Sequence, residues 1–396
     1  MQAVGVAKDQ VNLAASRAEV GSQKLQAKFL EMLPCRTLAE FAAPQVLGSG
    51  CLANSDLIRF VRFIAALRDF DCRRSGGRVS IRASLTTQRK TESAASLRER
   101  PCPVCGSTNR SPHWQKGDLR LVRCEDCAMV YATPAPVGMT SGEYYDTEGA
   151  GYYLSPEKLE SDYAAVRFER ELRLFREHGP HGAVLDVGCS TGAFLFQLQQ
   201  RWPGDYEILG TDVSGPPLAY AESRGVPVVR GDFLEQNFGG RTFDAITFWA
   251  VMEHLAEPKR FLEKAHAVLG PGGLCFVLVP NFNSLAVRCL GARYRYVYAQ
   301  HLNYFTARTL TALVAPKFEV VETCFTHFNP VVIWQDCRRG GREVSNVERG
   351  ELLKRTTAYK QKAWLKPVQV FYGLAEKSLG AFGLADNLAV VLKKRS

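Results

Sequence analysis

No uninterrupted apolar run in this 396-residue chain approaches the roughly 18 residues that a membrane-spanning helix requires, so no such span is expected. No secretory leader pattern opens the sequence, and eight of its 12 cysteines are scattered singly. A secreted disulfide framework is the poorer reading, and a reducing, cytoplasmic setting is expected. A broadly basic middle is also missing. Residues 1–100 carry 16 Lys and Arg against 9 Asp and Glu, and residues 337–396 carry 13 against 5, whereas 101–336 hold 21 against 26. The net charge of +10 therefore belongs to the two ends and is weak evidence for nucleic-acid binding. Length and apolar content allow two or three units of about 150 residues each, with a real core.

The most informative run is Val184-Leu185-Asp186-Val187-Gly188-Cys189-Ser190-Thr191-Gly192-Ala193-Phe194. Val184, Leu185 and Val187 supply a buried strand, Gly188 and Gly192 let the backbone turn tightly, and Phe194, Leu195 and Leu198 begin a helical apolar stripe. A dinucleotide site spaces three glycines as G-x-G-x-x-G and offers helix amides to a pyrophosphate. Here an acid, Asp186, opens D-x-G-x-x-x-G, which suits a cationic ligand better than an anionic one.

This run resembles the first motif of class I S-adenosylmethionine-dependent methyltransferases, and the chain from about Tyr144 onward keeps that family's order. The resemblance implies an α/β fold with a doubly wound, seven-stranded, mostly parallel, Rossmann-like sheet. Ile208–Asp212 looks like its second strand, and Asp212 stands 20 residues after Gly192, as a strand-helix-strand unit requires. Val228–Phe233, Phe243–Phe248 and Leu274–Val279 look like strands three to five, the last preceded by the turn Pro271-Gly272-Gly273. The family's cofactor contacts then fall on Asp186, Gly188, Gly192, Asp212 (ribose hydroxyls), Asp232 (adenine amino group) and Phe233. Glu253-His254-Leu255 follows the fourth strand at the methyl end of the cofactor. Ser190 stands where the family often has glycine, a tolerable change if its φ is negative.

Cys102-Pro103-Val104-Cys105, then eighteen residues, then Cys124-Glu125-Asp126-Cys127 has zinc-ribbon spacing. Each C-x-x-C turn holds a thiolate pair, and Trp114 to Val122 supplies a hairpin between them. Four thiolates leave no open coordination position, so zinc on Cys102, Cys105, Cys124 and Cys127 is expected to be structural. Free or disulfide-bonded cysteines are the alternative. The ribbon followed by Tyr144-Tyr145 resembles the head of a bacterial subset of these methyltransferases, with Ala128 replacing a glycine common there. Cys189, Cys275 and Cys324 read as small buried residues rather than nucleophiles.

The expected organisation is an unassigned, poorly ordered region 1–100, the ribbon over 101–133, and the methyltransferase domain over 144–396. Leu57–Ile64 alternates enough for a short helix or strand, and Cys72–Arg100, rich in Arg, Ser and Thr, reads as disordered linker. Phe318–Phe325 and Leu388–Leu392 look like the last two strands, which makes 337–386 a basic, mostly helical insertion between them. Trp364, Leu365, Val368, Val370, Phe371, Leu374 and Leu379 give it an apolar face flanked by Lys354, Arg355, Lys360, Lys362 and Lys366. Such a helix is a lid or packing element, or else a peripheral membrane or dimer contact.

An alcohol acceptor needs a general base. His301, after the fifth strand, is the first candidate and His254 the second, each with a structural role as the alternative. Tyr294, Tyr296 and Tyr298 line the acceptor pocket or form the packed face of a strand. The expected function is methyl transfer from S-adenosylmethionine to a small-molecule or sugar-like acceptor. The alternatives are an RNA methyltransferase, disfavoured by the acidic middle and the lack of an N-P-P-Y tetrapeptide, and a non-catalytic cofactor-binding scaffold.

Overall fold

The computed structural model describes residues 97–136, 144–179, 181–362 and 366–395. The reading of Leu57–Ile64 and most of the linker lie outside these residues. The end of that linker is not coil: Leu97–Arg98 pair antiparallel with Ala135–Pro136. Short-range composition missed this because the partner strand lies beyond the cysteines.

A seven-stranded sheet organises the chain. Its strands are β1 (Gly182–Val187), β2 (Tyr206–Asp212), β3 (Val228–Arg230), β4 (Phe243–Trp249), β5 (Leu269–Pro280), β6 (Phe318–Thr326) and β7 (Asn387–Lys394). They lie in the order β6-β7-β5-β4-β1-β2-β3. β3, β2, β1, β4 and β5 run parallel, and β7 inserts antiparallel between β5 and β6. Parallel strands covered on both faces are apolar at every position. Thus Val184 joins one core layer while Leu185 joins the other, and Phe276 and Val277 divide the same way. β3 ends at Arg230, short of the expected Phe233, because Gly231 turns out of the sheet at φ +137°.

Helices cover both faces. After a short helical turn at Ala150–Tyr153, they are α1 (Pro156–Asp162), α2 (Glu169–Glu177), α3 (Ala193–Arg201), α4 (Gly215–Ser223), α5 (Pro258–Val268), α6 (Leu285–Leu290), α7 (Ala307–Val314), α8 (Pro330–Arg339), α9 (Asn346–Gln361) and α10 (Lys366–Ala381). The last three fill the connection between β6 and β7. α9 opens with a full capping box between Ser345 and Glu348 and packs back on α1, with Lys354 paired to Glu160 at 2.7 Å. On α10, Leu379 is buried but Val370 and Leu374 are exposed, so only part of the expected apolar face is covered. Among the described residues no helix is long and apolar enough to cross a membrane.

The cysteine-rich segment is not a separate bead. Arg110–Lys116, Leu119–Cys124 and Val130–Ala132 form an antiparallel sheet whose fourth strand is Asn303–Tyr304, supplied from beyond β5. Cys102, Cys124, Met129 and Tyr131 belong to the same buried layer as Leu185, Phe248 and Val277.

Candidate active site

Sheet order reverses direction between β1 and β4, and in open α/β sheets the crevice at such a switch, outside the carboxyl ends of the strands, is where ligands bind. Gly188 leaves β1 at φ +73°, and a Cβ there would lie 2.6 Å from Val251 Cγ2. Gly192, at φ +70°, directly precedes α3. Between them Ser190 adopts φ +49°, so the condition under which serine is readily tolerated there is not met. The turn imposes this: the Ser190 N–H donates to Asp212 Oδ2 at 2.9 Å, which fixes the peptide in the sparsely allowed left-handed region.

Asp212 also accepts from the Ser214 N–H at 3.0 Å through its other oxygen. Each oxygen retains lone-pair capacity, and burial raises its pKa. Asp186 is 3% exposed, accepts from Thr247 Oγ1 at 2.6 Å, and is pushed up to about 7, chiefly by burial with a smaller contribution from Asp212. The hydroxyls of Thr211 and Ser214 are buried beside them with no protein partner. A ligand with hydroxyls and a positive charge suits that donor set. Phe233 is buried at 2% exposure, whereas Asp232 is exposed and caps its own turn at the Leu234 N–H.

The segment before α1 covers this crevice, which the sequence did not reveal. Asp146 accepts from the Gly215 N–H at 2.7 Å and from Arg230 at 2.5 Å. Tyr144 accepts at its hydroxyl from Gln300 at 2.5 Å, on the opposite side. Tyr145 lies between, in the electrostatic field of Asp212, Tyr298 and Glu253.

His254 and His301 meet with ring centroids 4.8 Å apart and planes at 81°. Nδ1 of His254 bonds the Gln300 carbonyl at 2.9 Å. Burial lowers His254 to about 4 and holds His301 well below its ordinary value. Glu253, 1% exposed, joins them, and burial raises its carboxyl to about 8. Of the two readings of the tyrosines, the strand is absent: Tyr294–Tyr298 follow a short 3₁₀ turn at Gly291–Arg293. Tyr298 packs on His301 at 4.3 Å, and Arg349 of α9 lies 4.0 Å from the Tyr298 ring centroid. The insertion therefore reaches the tyrosine that packs on His301.

The four ribbon cysteines converge, with all ligand atoms within 4.8 Å of one another and Sγ distances of 3.5 Å for Cys102–Cys127 and Cys105–Cys124. A tetrahedral zinc with bonds of about 2.3 Å has sulfur–sulfur edges of about 3.8 Å, so the set fits the ion. Cys189 and Cys275 are buried, and burial raises the thiols of both and of Cys324. None has the depressed pKa of a nucleophile.

Residues 160–317 match a family model described as a methyltransferase domain. Trans-aconitate 2-methyltransferase of Deinococcus radiodurans is 35% identical over 127 residues, covering 31% of this chain and 48% of the relative. A ubiquinone biosynthesis O-methyltransferase of Ruegeria pomeroyi is 29% identical over 167 residues, 38% of this chain and 65% of the relative. A probable tRNA methyltransferase 9B of Mus musculus is 30% identical over 122 residues, 30% and 26%. The chain thus spans between a quarter and two thirds of the length of these relatives.

Proposed function

We propose that this chain, which carries a class I S-adenosylmethionine-dependent methyltransferase domain, transfers the sulfonium methyl group to a small-molecule or sugar-like acceptor. The observation that carries the reading is the crevice at the β1/β4 switch, where Asp186 and Asp212 flank the Gly188–Gly192 turn and the Glu253–His254–His301 cluster follows β4. When bound, the cofactor supplies an electrophilic methyl group, and the acceptor's attack returns the S–CH3 electron pair to sulfur. Asp212 would hold the ribose hydroxyls, Asp232 and Phe233 the adenine, and Asp186 would balance positive charge behind the turn.

The protein's remaining task is to hold the acceptor in line with the S–CH3 bond at near-attack distance. Tyr298 and His301 would form a wall for it, and His301, with His254 second, would take its proton. Burial keeps both imidazoles neutral at pH 7, so each presents a lone pair, but at about 4 His254 is a weak base. The relatives act, by name, on small molecules and on tRNA. The acidic middle of this chain favours the former.

Structural zinc on the four ribbon cysteines completes the proposal. It would hold the strand that pairs with Asn303–Tyr304, and so the loop bearing His301. The function is tested at Asp212. Asp212→Ala should weaken S-adenosylhomocysteine binding about tenfold or more, the worth of charged hydrogen bonds, with circular dichroism unchanged. Unchanged affinity by calorimetry would contradict the ribose assignment.

A further inference from the structure

The Glu253–His254–His301 cluster has features that a proton-transfer role leaves unexplained. One ligand atom from each residue lies within 4.8 Å of the others. Glu253 Oε2 is buried with no protein partner, although an unsatisfied buried carboxylate oxygen is costly. His254 spends Nδ1 on the Gln300 carbonyl at 2.9 Å. That bond fixes its tautomer and leaves Nε2 as a lone-pair donor.

We propose that Glu253, His254 and His301 bind a second divalent cation of the zinc or iron(II) class, with its open positions facing the methyl acceptor. Two neutral imidazoles and one carboxylate are the donor set of catalytic zinc sites and of open facial iron sites. A backbone acceptor on one ring nitrogen, as His254 has at Gln300, is the support such a ligand needs. The supporting frame is present: the backbone carbonyl of Glu253 accepts from the Leu302 and Asn303 N–H groups at 2.7 and 3.0 Å, and Asn303 Nδ2 holds the carbonyls of Met252 and Leu255. Ligation in a tetrahedral site would draw the donor atoms to about 3.4 Å apart, a closure within side-chain reach.

The cation deepens the methyl-transfer reading, on which its catalytic purpose rests. A hydroxyl or enolisable carbonyl oxygen of the acceptor would take an open position, and the cation would lower the pKa of that hydroxyl, or of the C–H adjacent to that carbonyl. The released proton passes to solvent, the oxygen or adjacent carbon then bonds to the methyl carbon, and the S–CH3 pair returns to sulfur. The cation thereby replaces the proton-accepting role proposed above for His301 and His254, whose lone pairs it occupies. The acceptor class becomes one that presents oxygen to a metal.

The test counts metal in the full chain. Purified protein equilibrated with zinc chloride and dialysed against metal-free buffer should hold two zinc ions per chain by elemental analysis. His301→Asn and, independently, Glu253→Gln should hold one, while Cys102→Ser should lose the ribbon ion and retain the other. Cobalt(II) loading adds a signature: the ion lost with His301→Asn should leave the thiolate charge-transfer bands intact. Thermal melting of both variants shows that they fold. A single zinc ion per wild-type chain, or two in both variants, would overturn the proposal. S-adenosylhomocysteine binding, measured in parallel, reports separately on the methyltransferase reading: its absence would remove that reading, whereas binding with only one zinc would remove the second cation alone.

Discussion

Arg100 donates a 2.6 Å hydrogen bond from Nη2 to the side-chain oxygen of Asn303, across 203 residues of sequence. Asn303 in turn donates to the carbonyls of Met252 and Leu255, at 2.8 and 2.7 Å. One buried amide thus ties the segment leading into the cysteine ribbon to the loop that carries Glu253 and His254.

Asn303→Ala removes both donors from buried carbonyls, and each lost bond of this kind costs about 1–3 kcal/mol. The expected outcome is a destabilised 252–255 loop, with turnover falling at least tenfold and S-adenosylhomocysteine affinity held within a few-fold. Hydrogen exchange of the loop, together with calorimetry, checks this. Equal loss of cofactor affinity would show that Asn303 supports the whole crevice.

Zinc removal should also spread beyond the ribbon. Because Val130 and Tyr131 pair with Tyr304 and Asn303, Cys102→Ser or chelation should raise exchange not only over 101–132 but over 302–304. β1 and β2 should remain protected. Exchange confined to 101–132 would show that the shared sheet transmits nothing.

Asp186 gives a pH prediction. Its carboxyl, raised to about 7 mainly by burial, holds its proton in the folded chain after the unfolded chain has released it. Its contribution to stability is therefore fully present below about pH 4 and is lost as pH rises through about 7. Asp186→Asn keeps a neutral acceptor for Thr247 and should gain stability over the wild type progressively across that window, by an amount on the order of a few kcal/mol. The same ionisation should favour the cationic S-adenosylmethionine over its neutral product above pH 7. Parallel urea denaturation of the two proteins from pH 4 to 8 checks the first part, and a pH-independent difference would contradict it.

Ser190 and Ala128 occupy left-handed backbone at φ +49° and +65°. The two C-x-x-C turns show what Ala128 replaces: Gly106, at φ +77°, donates to the Cys102 carbonyl, and Ala128 donates to the Cys124 carbonyl in the same way, both at 2.9 Å. Ala128→Gly and Ser190→Gly should each stabilise the fold by about 1 kcal/mol, seen as a Tm increase of about 2 °C or more. A lowered Tm would mean that glycine's added freedom in the unfolded chain outweighs the relieved strain.

Much of the sheet was legible because a buried parallel strand followed by a glycine turn and an amphipathic helix leaves its mark in consecutive residues. Asp186, Gly188, Gly192 and Asp212 were found that way. What escaped depends on partners distant in sequence. Asn303–Tyr304 is a two-residue strand with no period of its own, and its ribbon partner lies some 170 residues earlier. Of the two readings of Tyr294, Tyr296 and Tyr298, only the packed strand face fails, because a 3₁₀ turn and loop, not a ladder, place those rings. The crevice cover at Tyr144–Tyr153 and the approach of Arg349 arise from tertiary docking that no local pattern encodes. Glu253 was visible as part of a Glu-His-Leu turn, yet its unpartnered oxygen appears only once the loop is folded.

A crystal structure of the full chain with S-adenosylhomocysteine tests the central claim most directly. The account predicts its ribose on Asp212, its adenine near Asp232 and Phe233, and its sulfur directed toward the Glu253–His254–His301 cluster. Ligand bound elsewhere, or a crevice at the β1/β4 switch that stays closed by Tyr145 at saturating ligand, would contradict it.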